Sequence, residues 1–189
     1  MVERRLNLPM KCPSCQSVLQ SHDLEENLKT LLCGECGGHW VKSYQYWKWL
    51  ERHGPNLPER APENDTGFVV EDGERARLCP ECGHVLTRAK VGHGLDFHLE
   101  RCMHCGGIWF DKNEWEALKS RNLHDDVHFV FSTAWQRRVL EEENAQAREE
   151  RLVDALGKDG YAELNRIKAW IDAQEHRDAV FAYLMGLSQ

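Results

Sequence analysis

The eight cysteines of this 189-residue chain form four CxxC pairs, and the four pairs form two copies of one module. Two residues between paired cysteines allow both thiolates of a tight turn to face one ion, so two such turns supply a tetrahedral site of four sulfur ligands. The sequence therefore predicts two metal ions per chain. The predicted ligands are Cys12, Cys15, Cys33 and Cys36 for the first ion, and Cys79, Cys82, Cys102 and Cys105 for the second.

The repetition extends beyond the cysteines. Residues 36–40 read CGGHW and residues 105–109 read CGGIW, which is the same motif at an offset of 69 positions. A period of this length that occurs twice indicates a duplicated module rather than a solenoid.

The number and spacing of the ligands favour zinc, and iron in a rubredoxin-like site of four sulfurs is the alternative. Disulfides would suit a secreted protein, but the chain begins with charged residues and has no apolar run typical of a signal peptide. We therefore expect a cytoplasmic location, where thiols stay reduced. Four thiolates leave no open coordination position, so we expect structural ions, and no motif indicates an enzyme.

The order CPxC, hairpin, CxxCGGxW and short helix resembles the bacterial TFIIB-type zinc-ribbon family, whose members are called transcription factor zinc fingers. The second copy matches best, through residues 79–83, Leu86, 102–111 and Glu114. The first copy departs after Trp40, where residues 41–43 (VKS) replace the usual apolar and acidic pair. The resemblance implies a zinc-ribbon fold for about half of the chain, and a shared fold does not transfer a function.

These patterns predict a small, metal-stabilised α+β protein with two zinc ribbons, each a β-hairpin with a short helix, followed by an α-helical C-terminal region. The predicted segments are a first ribbon at 10–53, a linker at 54–77, a second ribbon at 78–122 and the helical region at 130–189. Proline, glycine and acidic residues dominate the linker, so we expect the ribbons to be energetically separate. Each ribbon is too small for an adequate apolar core, so the metal must supply much of its folding free energy.

Alternating apolar residues predict the two strands of the second hairpin, at 85–91 and 95–101. A capping-box pattern of Asp111 and Glu114 then predicts a helix at 112–121. In the C-terminal region we expect a helix from Ser132 or Thr133 to Leu156, stopped by Gly157, and two further helices at 161–173 and 177–185. His93, Asp96, His98 and Glu100 lack the spacing of a hydrolytic metal site, and we expect them on a solvated hairpin edge.

A helix at 44–52 carries four aromatic residues within six positions. They are expected mainly to cover the small core of the ribbon, and the alternative is a partner-binding patch, since the rings exceed what one hairpin can bury. The candidate partner-binding residues are Tyr44, Trp47 and Trp49, together with Glu142 in the charged part of the C-terminal helix.

The chain has a formal net charge of −7 and no basic patch, which disfavours tight binding of nucleic acid by the protein alone. The longest apolar stretches are only a few residues, so we expect no membrane-spanning helix. We therefore predict a non-enzymatic adaptor or regulator that binds a protein partner, associated with the transcription or translation machinery. The alternative is a nucleic-acid-binding ribbon protein that uses Arg88, Lys90 and Arg101.

Overall fold

The computed structural model of the chain describes residues 9–54, 57, 69–70, 72–73 and 75–186. It forms two compact units, one ending at Val139 and the other beginning at Leu140. The linker predicted at 54–77 lies largely outside the described residues. The elements of the first ribbon are β1 (Leu19–Asp23), β2 (Lys29–Cys33), β3 (His39–Val41) and α1 (Ser43–His53). Those of the second are β4 (Thr87–Gly92), β5 (Leu95–Arg101), β6 (Ile108–Phe110) and α2 (Glu114–Ser120). They are followed by α3 (Val127–Val130), α4 (Thr133–Asp172) and α5 (Arg177–Leu184).

The fold class predicted from the sequence is confirmed: each group of four cysteines carries a β-hairpin and a helix, and helices follow. The sequence did not predict β3 and β6, the short strands made by the residues after each pair of glycines. These two strands pair with each other, so that Trp40 lies opposite Trp109 and Val41 opposite Ile108. The result is one six-stranded antiparallel sheet in the order β1-β2-β3-β6-β5-β4.

The ribbons are therefore joined in the structure, although the linker composition suggested separate modules. The physical reason is that a three-residue strand at a sheet edge presents unpaired backbone groups, and the two edges satisfy each other. The first unit contains both ribbons in one compact body.

The sheet buries side chains on both faces. Because neighbouring strand residues point to opposite faces, Trp40 and Trp109 lie on one face, while Val41, Ile108 and Phe110 lie on the other. The tryptophans share a small core with buried cysteines from both ribbons. The opposite face is covered by the larger core, to which α1, α2 and α3 contribute.

Helix α1 packs against the second ribbon and the segment that follows it. Trp49 is only 2% exposed, and its ring centre lies 5.4 Å from that of Trp115 in α2. The Tyr46 hydroxyl donates a hydrogen bond to the carbonyl oxygen of Asp125 at 2.8 Å. The prediction of Trp49 as a partner-binding residue is therefore wrong, because the second ribbon supplies the apolar surface that one ribbon lacks.

The N-terminal turns of α4 are fixed to the second hairpin within the first unit. The Trp135 indole N–H donates to the carbonyl oxygen of Val91 at 2.8 Å, and the Gln136 side-chain amide donates to that of Lys90 at 2.8 Å. Val139 packs so closely on Gly92 that a Cβ at this glycine would meet it.

The second unit consists of the rest of α4 and of α5. Gly157 interrupts α4 with φ 71° and ψ 168°, where the sequence predicted that a helix ends. Residues on both sides of this interruption line one groove, so the chain reverses direction there. No helix in the described part of the chain is both long and apolar enough to cross a lipid bilayer.

Candidate metal centres

The structure brings together the same two groups of four cysteines that the spacing predicted. Within each group, the four sulfur atoms lie within 4.8 Å of one another. In the first, Cys12 and Cys36 are 3.6 Å apart and Cys15 and Cys33 are 3.4 Å apart. The second repeats these distances, with 3.6 Å between Cys79 and Cys105 and 3.4 Å between Cys82 and Cys102. Tetrahedral zinc with Zn–S bonds of about 2.3 Å requires sulfur atoms about 3.8 Å apart, so both groups fit this ion.

Each site is built from two turns of the same conformation. In every turn, the backbone N–H of the residue after the second cysteine donates to the carbonyl oxygen of the first cysteine, at 2.8 to 3.0 Å. That residue has positive φ in all four turns: Gln16, Gly37, Gly83 and Gly106. Gly34, which lies between the two cysteines of its turn, does not have positive φ. The turns therefore depend on one left-handed residue each, and the first accommodates a glutamine.

Backbone N–H groups point at the sulfur atoms. Ser14 and Cys15 donate to the Cys12 sulfur at 3.3 and 3.4 Å, and Glu81 donates to the Cys79 sulfur at 3.4 Å. These dipoles offset part of the negative charge that four thiolates concentrate around a divalent ion.

The thiols differ in acidity before an ion binds. A hydrogen bond from the Ser17 hydroxyl lowers the pKa of Cys15 to about 6, whereas burial raises the pKa of Cys36 and of Cys105 to about 11. All four cysteines of a site must lose their protons to bind the ion, so protons compete with the metal and affinity falls as the pH falls.

The immediate surroundings of the two sites are not identical. His84 Nδ1 lies 3.3 Å from the Cys82 sulfur, and its ring stacks on that of His104 at 4.2 Å. Ser17 and Glu35 occupy the corresponding positions in the first ribbon. With four thiolates already in place, His84 is positioned to hydrogen-bond a ligand rather than to replace one.

Two regions of the chain, residues 11–52 and 78–121, match the family model described as transcription factor zinc-finger, the TFIIB-type zinc ribbon. Both regions are zinc ribbons. Each match contains one complete group of four cysteines, so the family agrees with the ligand sets that the geometry gives. No solved structure matches the chain.

As zinc-ribbon sites, these two centres are suited to a structural role. Four thiolates complete tetrahedral coordination and leave no position for a water or substrate molecule, so a bound zinc ion stabilises the fold. Cys12, Cys33, Cys79 and Cys102 are buried, whereas Cys15 is exposed. The turns that hold the ions thus lie at the surface, with one side in the core around the tryptophans.

The remaining predicted partner-binding residues are at the surface. Tyr44 and Trp47 on α1 are 61% and 41% exposed. Glu142 is exposed on α4, in the second unit. Of the hairpin residues expected to be solvated, Asp96 is exposed but Glu100 is buried, so that expectation is wrong for Glu100.

Glu100 belongs to a buried ionic cluster that sequence reasoning missed. Arg77 Nη1 lies 3.0 Å from the Glu100 carboxylate and 2.7 Å from that of Asp111. Burial raises the pKa of Glu100 to about 7, although the positive charge of Arg77 acts to lower it. Arg77 comes from the segment before the second ribbon, so no local pattern around Glu100 could reveal this contact.

Proposed function

We propose that this protein is a non-enzymatic zinc-binding adaptor or regulator, which binds a protein partner of the transcription or translation machinery in the cytoplasm. The observation that carries the proposal is an exposed aromatic surface on the first unit, which we call the α1–α3 surface. It consists of Tyr44, Trp47, His128 and Phe129.

The α1–α3 surface is continuous and partly preorganised. The ring centres of Trp47 and His128 are 4.8 Å apart, and those of His128 and Phe129 are 4.0 Å apart. Tyr44 and Phe129 are 61% and 51% exposed. Rigid aromatic side chains of this kind dominate the binding free energy of many protein interfaces.

A cavity of about 500 Å³ adjoins this surface and reaches the second ribbon. Tyr44 and Trp47 line it from α1, and Glu81 and Cys105 line it from the two turns of the second metal site. A Lys42–Glu81 ion pair at 3.7 Å crosses between the ribbons beside it. The proposed binding surface therefore requires both ribbons in place, which gives the metal ions a structural part in the function.

The contacts of the basic residues on the second hairpin support a protein partner over the nucleic-acid alternative. Arg88 pairs with Asp72 at 2.5 Å, and Lys90 pairs with Asp96 at 2.9 Å. Arg101 lies over the ring of Phe131 at 5.7 Å. Cations already neutralised by carboxylates add little to phosphate binding, which supplies most non-specific affinity for nucleic acid.

Affinity capture from nuclease-treated native lysate tests the proposal when three forms of the protein are compared. We expect one protein species to be retained by the unmodified chain and lost with Tyr44→Ser/Trp47→Ser. The matched control Tyr183→Ser removes an exposed aromatic residue from the second unit and should retain it. Equal retention by all three forms would contradict a role for the α1–α3 surface.

Fluorescence anisotropy with labelled DNA and RNA, run across a salt series, tests the alternative. We expect Kd values no tighter than the non-specific range of about 10⁻⁴–10⁻⁶ M at physiological salt. Nanomolar binding with a steep salt dependence would favour the nucleic-acid function instead.

A further inference from the structure

The second unit leaves most of its large apolar side chains in solvent. In the described residues from 140 to 186, Ile171 is buried at 5% exposure, and it is the single buried apolar residue there. Leu164, Ile167, Phe181 and Leu184 are between 37% and 60% exposed. A folded helical unit normally hides such residues in its core, so this unit has an apolar face that is not covered within itself.

Much of this face forms one groove of about 580 Å³ between three helical segments. Residues 145–152 contribute one wall, residues 161–171 the second, and residues 181–185, at the end of α5 and just after it, the third. The lining is mainly apolar, and Arg148, Glu149 and Lys168 also line it. We call this feature the C-terminal groove.

The shape of the C-terminal groove suits a helix. Three helical segments that run back along one another leave a channel where the fourth helix of a bundle would pack. An amphipathic helix in such a groove places its apolar residues at i, i+3 or i+4, and i+7 toward the channel.

The charge of the unit restricts what can occupy the groove. Of the charged residues that line the groove, Arg148 and Lys168 are basic and Glu149 is acidic, and Lys168 is neutralised by an ion pair with Asp172 at 2.7 Å. The lining therefore adds no net charge of its own, and residues 140–189, with eleven acidic and six basic residues, have a formal net charge of −5. A second copy of the chain would bring two such charges together, which opposes self-association. A helix with basic residues beside its apolar stripe would be attracted instead.

We propose that the C-terminal groove binds an amphipathic α-helix of a partner protein, with apolar residues in the groove and basic residues along its flanks. This goes beyond the function proposed above, because it concerns a second surface on a separate compact unit. The two proposals can be tested independently, because no residue of the α1–α3 surface lines the C-terminal groove.

The probe for the test is a fluorescent model helix of about 18 residues, or five turns, with leucines in an i, i+3, i+4, i+7 pattern and lysines elsewhere. A second probe replaces every lysine by glutamate. Each is titrated into the full-length, zinc-loaded protein and into the groove variant Leu164→Ser/Phe181→Ser. The control variant Trp170→Ser removes a 59% exposed residue from the same helix, outside the groove.

We expect the lysine probe to bind the unmodified protein and Trp170→Ser with similar Kd values, and the groove variant at least about tenfold more weakly. The glutamate probe should bind the unmodified protein at least about tenfold more weakly than the lysine probe does. In the unmodified protein, NMR signals of the Ile167 and Leu184 methyl groups should shift on addition of the lysine probe, a readout that does not depend on any variant.

Several results would overturn the proposal. If the lysine probe bound the groove variant and the unmodified protein equally well, charge alone would attract it. If the two probes bound the unmodified protein equally well, the proposed basic flanks of the partner would be contradicted. If the lysine probe did not bind at all, the proposal that the groove binds an amphipathic helix would be contradicted. A dimer in sedimentation that becomes a monomer with Leu164→Ser/Phe181→Ser would assign the groove to a second copy.

Discussion

Trp109 of the second ribbon covers Gly38 of the first so closely that a Cβ atom on Gly38 would overlap the indole ring. The reciprocal contact places Trp40 over Gly107. Both tryptophans are fully buried and lie opposite each other across β3 and β6. The second glycine and the tryptophan of each CGGxW motif therefore join the two ribbons, because each glycine makes room for the tryptophan of the other ribbon.

Replacing Gly38 by alanine should lower the free energy of unfolding by about 1–3 kcal/mol, the usual cost of forcing an extra group into a packed core. The control is Gly34→Ala, because a Cβ there meets no atom within 4 Å and its φ is not positive. It should change the stability by less than about 0.5 kcal/mol. Denaturant unfolding at a fixed free zinc concentration measures both, and equal effects would contradict the close contact.

The shared sheet also predicts that the two metal sites are coupled. Cys82→Ser should release the second ion and weaken zinc binding at the first site by at least about tenfold, because the first ribbon loses its β6 and Trp109 contacts. Chelator competition measures the affinity of each site. Met103→Ser, an exposed change between two ligands of the same site, should leave both affinities unchanged. An unaltered first site in Cys82→Ser would instead support the independent ribbons that the linker composition suggests.

The geometry of the two cysteine groups predicts the metal content. Elemental analysis of protein expressed near its native level should give about two zinc ions per chain, as two closed sites of four thiolates require. Cys12→Ser and Cys79→Ser should each lower this value. Iron in place of zinc would identify the alternative metal, and a value near zero with intact disulfides would contradict both metal sites.

The parts of the fold that the sequence predicted are those fixed by near neighbours. The CxxC spacing determines each turn locally. The alternation of Leu95, Phe97 and Leu99 predicts a strand, and all three of these side chains are buried in β5. The sequence also predicted that a helix stops at Gly157, because glycine readily adopts positive φ, and the helical conformation is interrupted at this residue.

The parts that it missed depend on contacts between distant segments. Strands β3 and β6 have three residues each, too few to show a two-residue period, and they exist as partners of each other. Trp49 is buried because Trp115, which lies in the other ribbon, packs against it. The sequence around Trp49 is equally compatible with an exposed ring, so its burial could not be predicted locally.

The left-handed residue of each turn gives a prediction that separates backbone conformation from packing. Gly83 has φ 77°, and a Cβ there would meet no atom within 4 Å. Gly83→Ala should therefore cost about 1–2 kcal/mol from the conformation alone. Gln16 shows that a side chain is tolerated at this position, where its amide donates to the Cys12 carbonyl oxygen at 3.2 Å. Denaturant unfolding measures the cost, and a stability equal to that of Gly34→Ala would contradict it.

His39 gives the pH dependence that is easiest to test. Burial, assisted by the nearby His22, lowers the pKa of His39 from 6.5 to about 4. At pH 5.5, NMR of the zinc-loaded protein should therefore show the His39 ring still neutral. His22→Gln should raise the pKa of His39, because it removes the neighbouring charge. A His39 pKa close to 6.5 would contradict the burial of this ring.

The same shift affects stability with a definite sign. Between pH 6.5 and about 4 the unfolded chain binds a proton at His39 that the folded chain does not, so this residue lowers the free energy of unfolding as the pH falls. His39→Gln loses the contact with Thr30 Oγ1 at 3.2 Å but has no such titration. The stability advantage of the unmodified protein over His39→Gln should therefore be largest above pH 6.5 and shrink toward pH 5. Denaturant unfolding of both proteins at saturating zinc measures this difference, and an advantage that stays constant or grows as the pH falls would show that His39 is protonated in the fold.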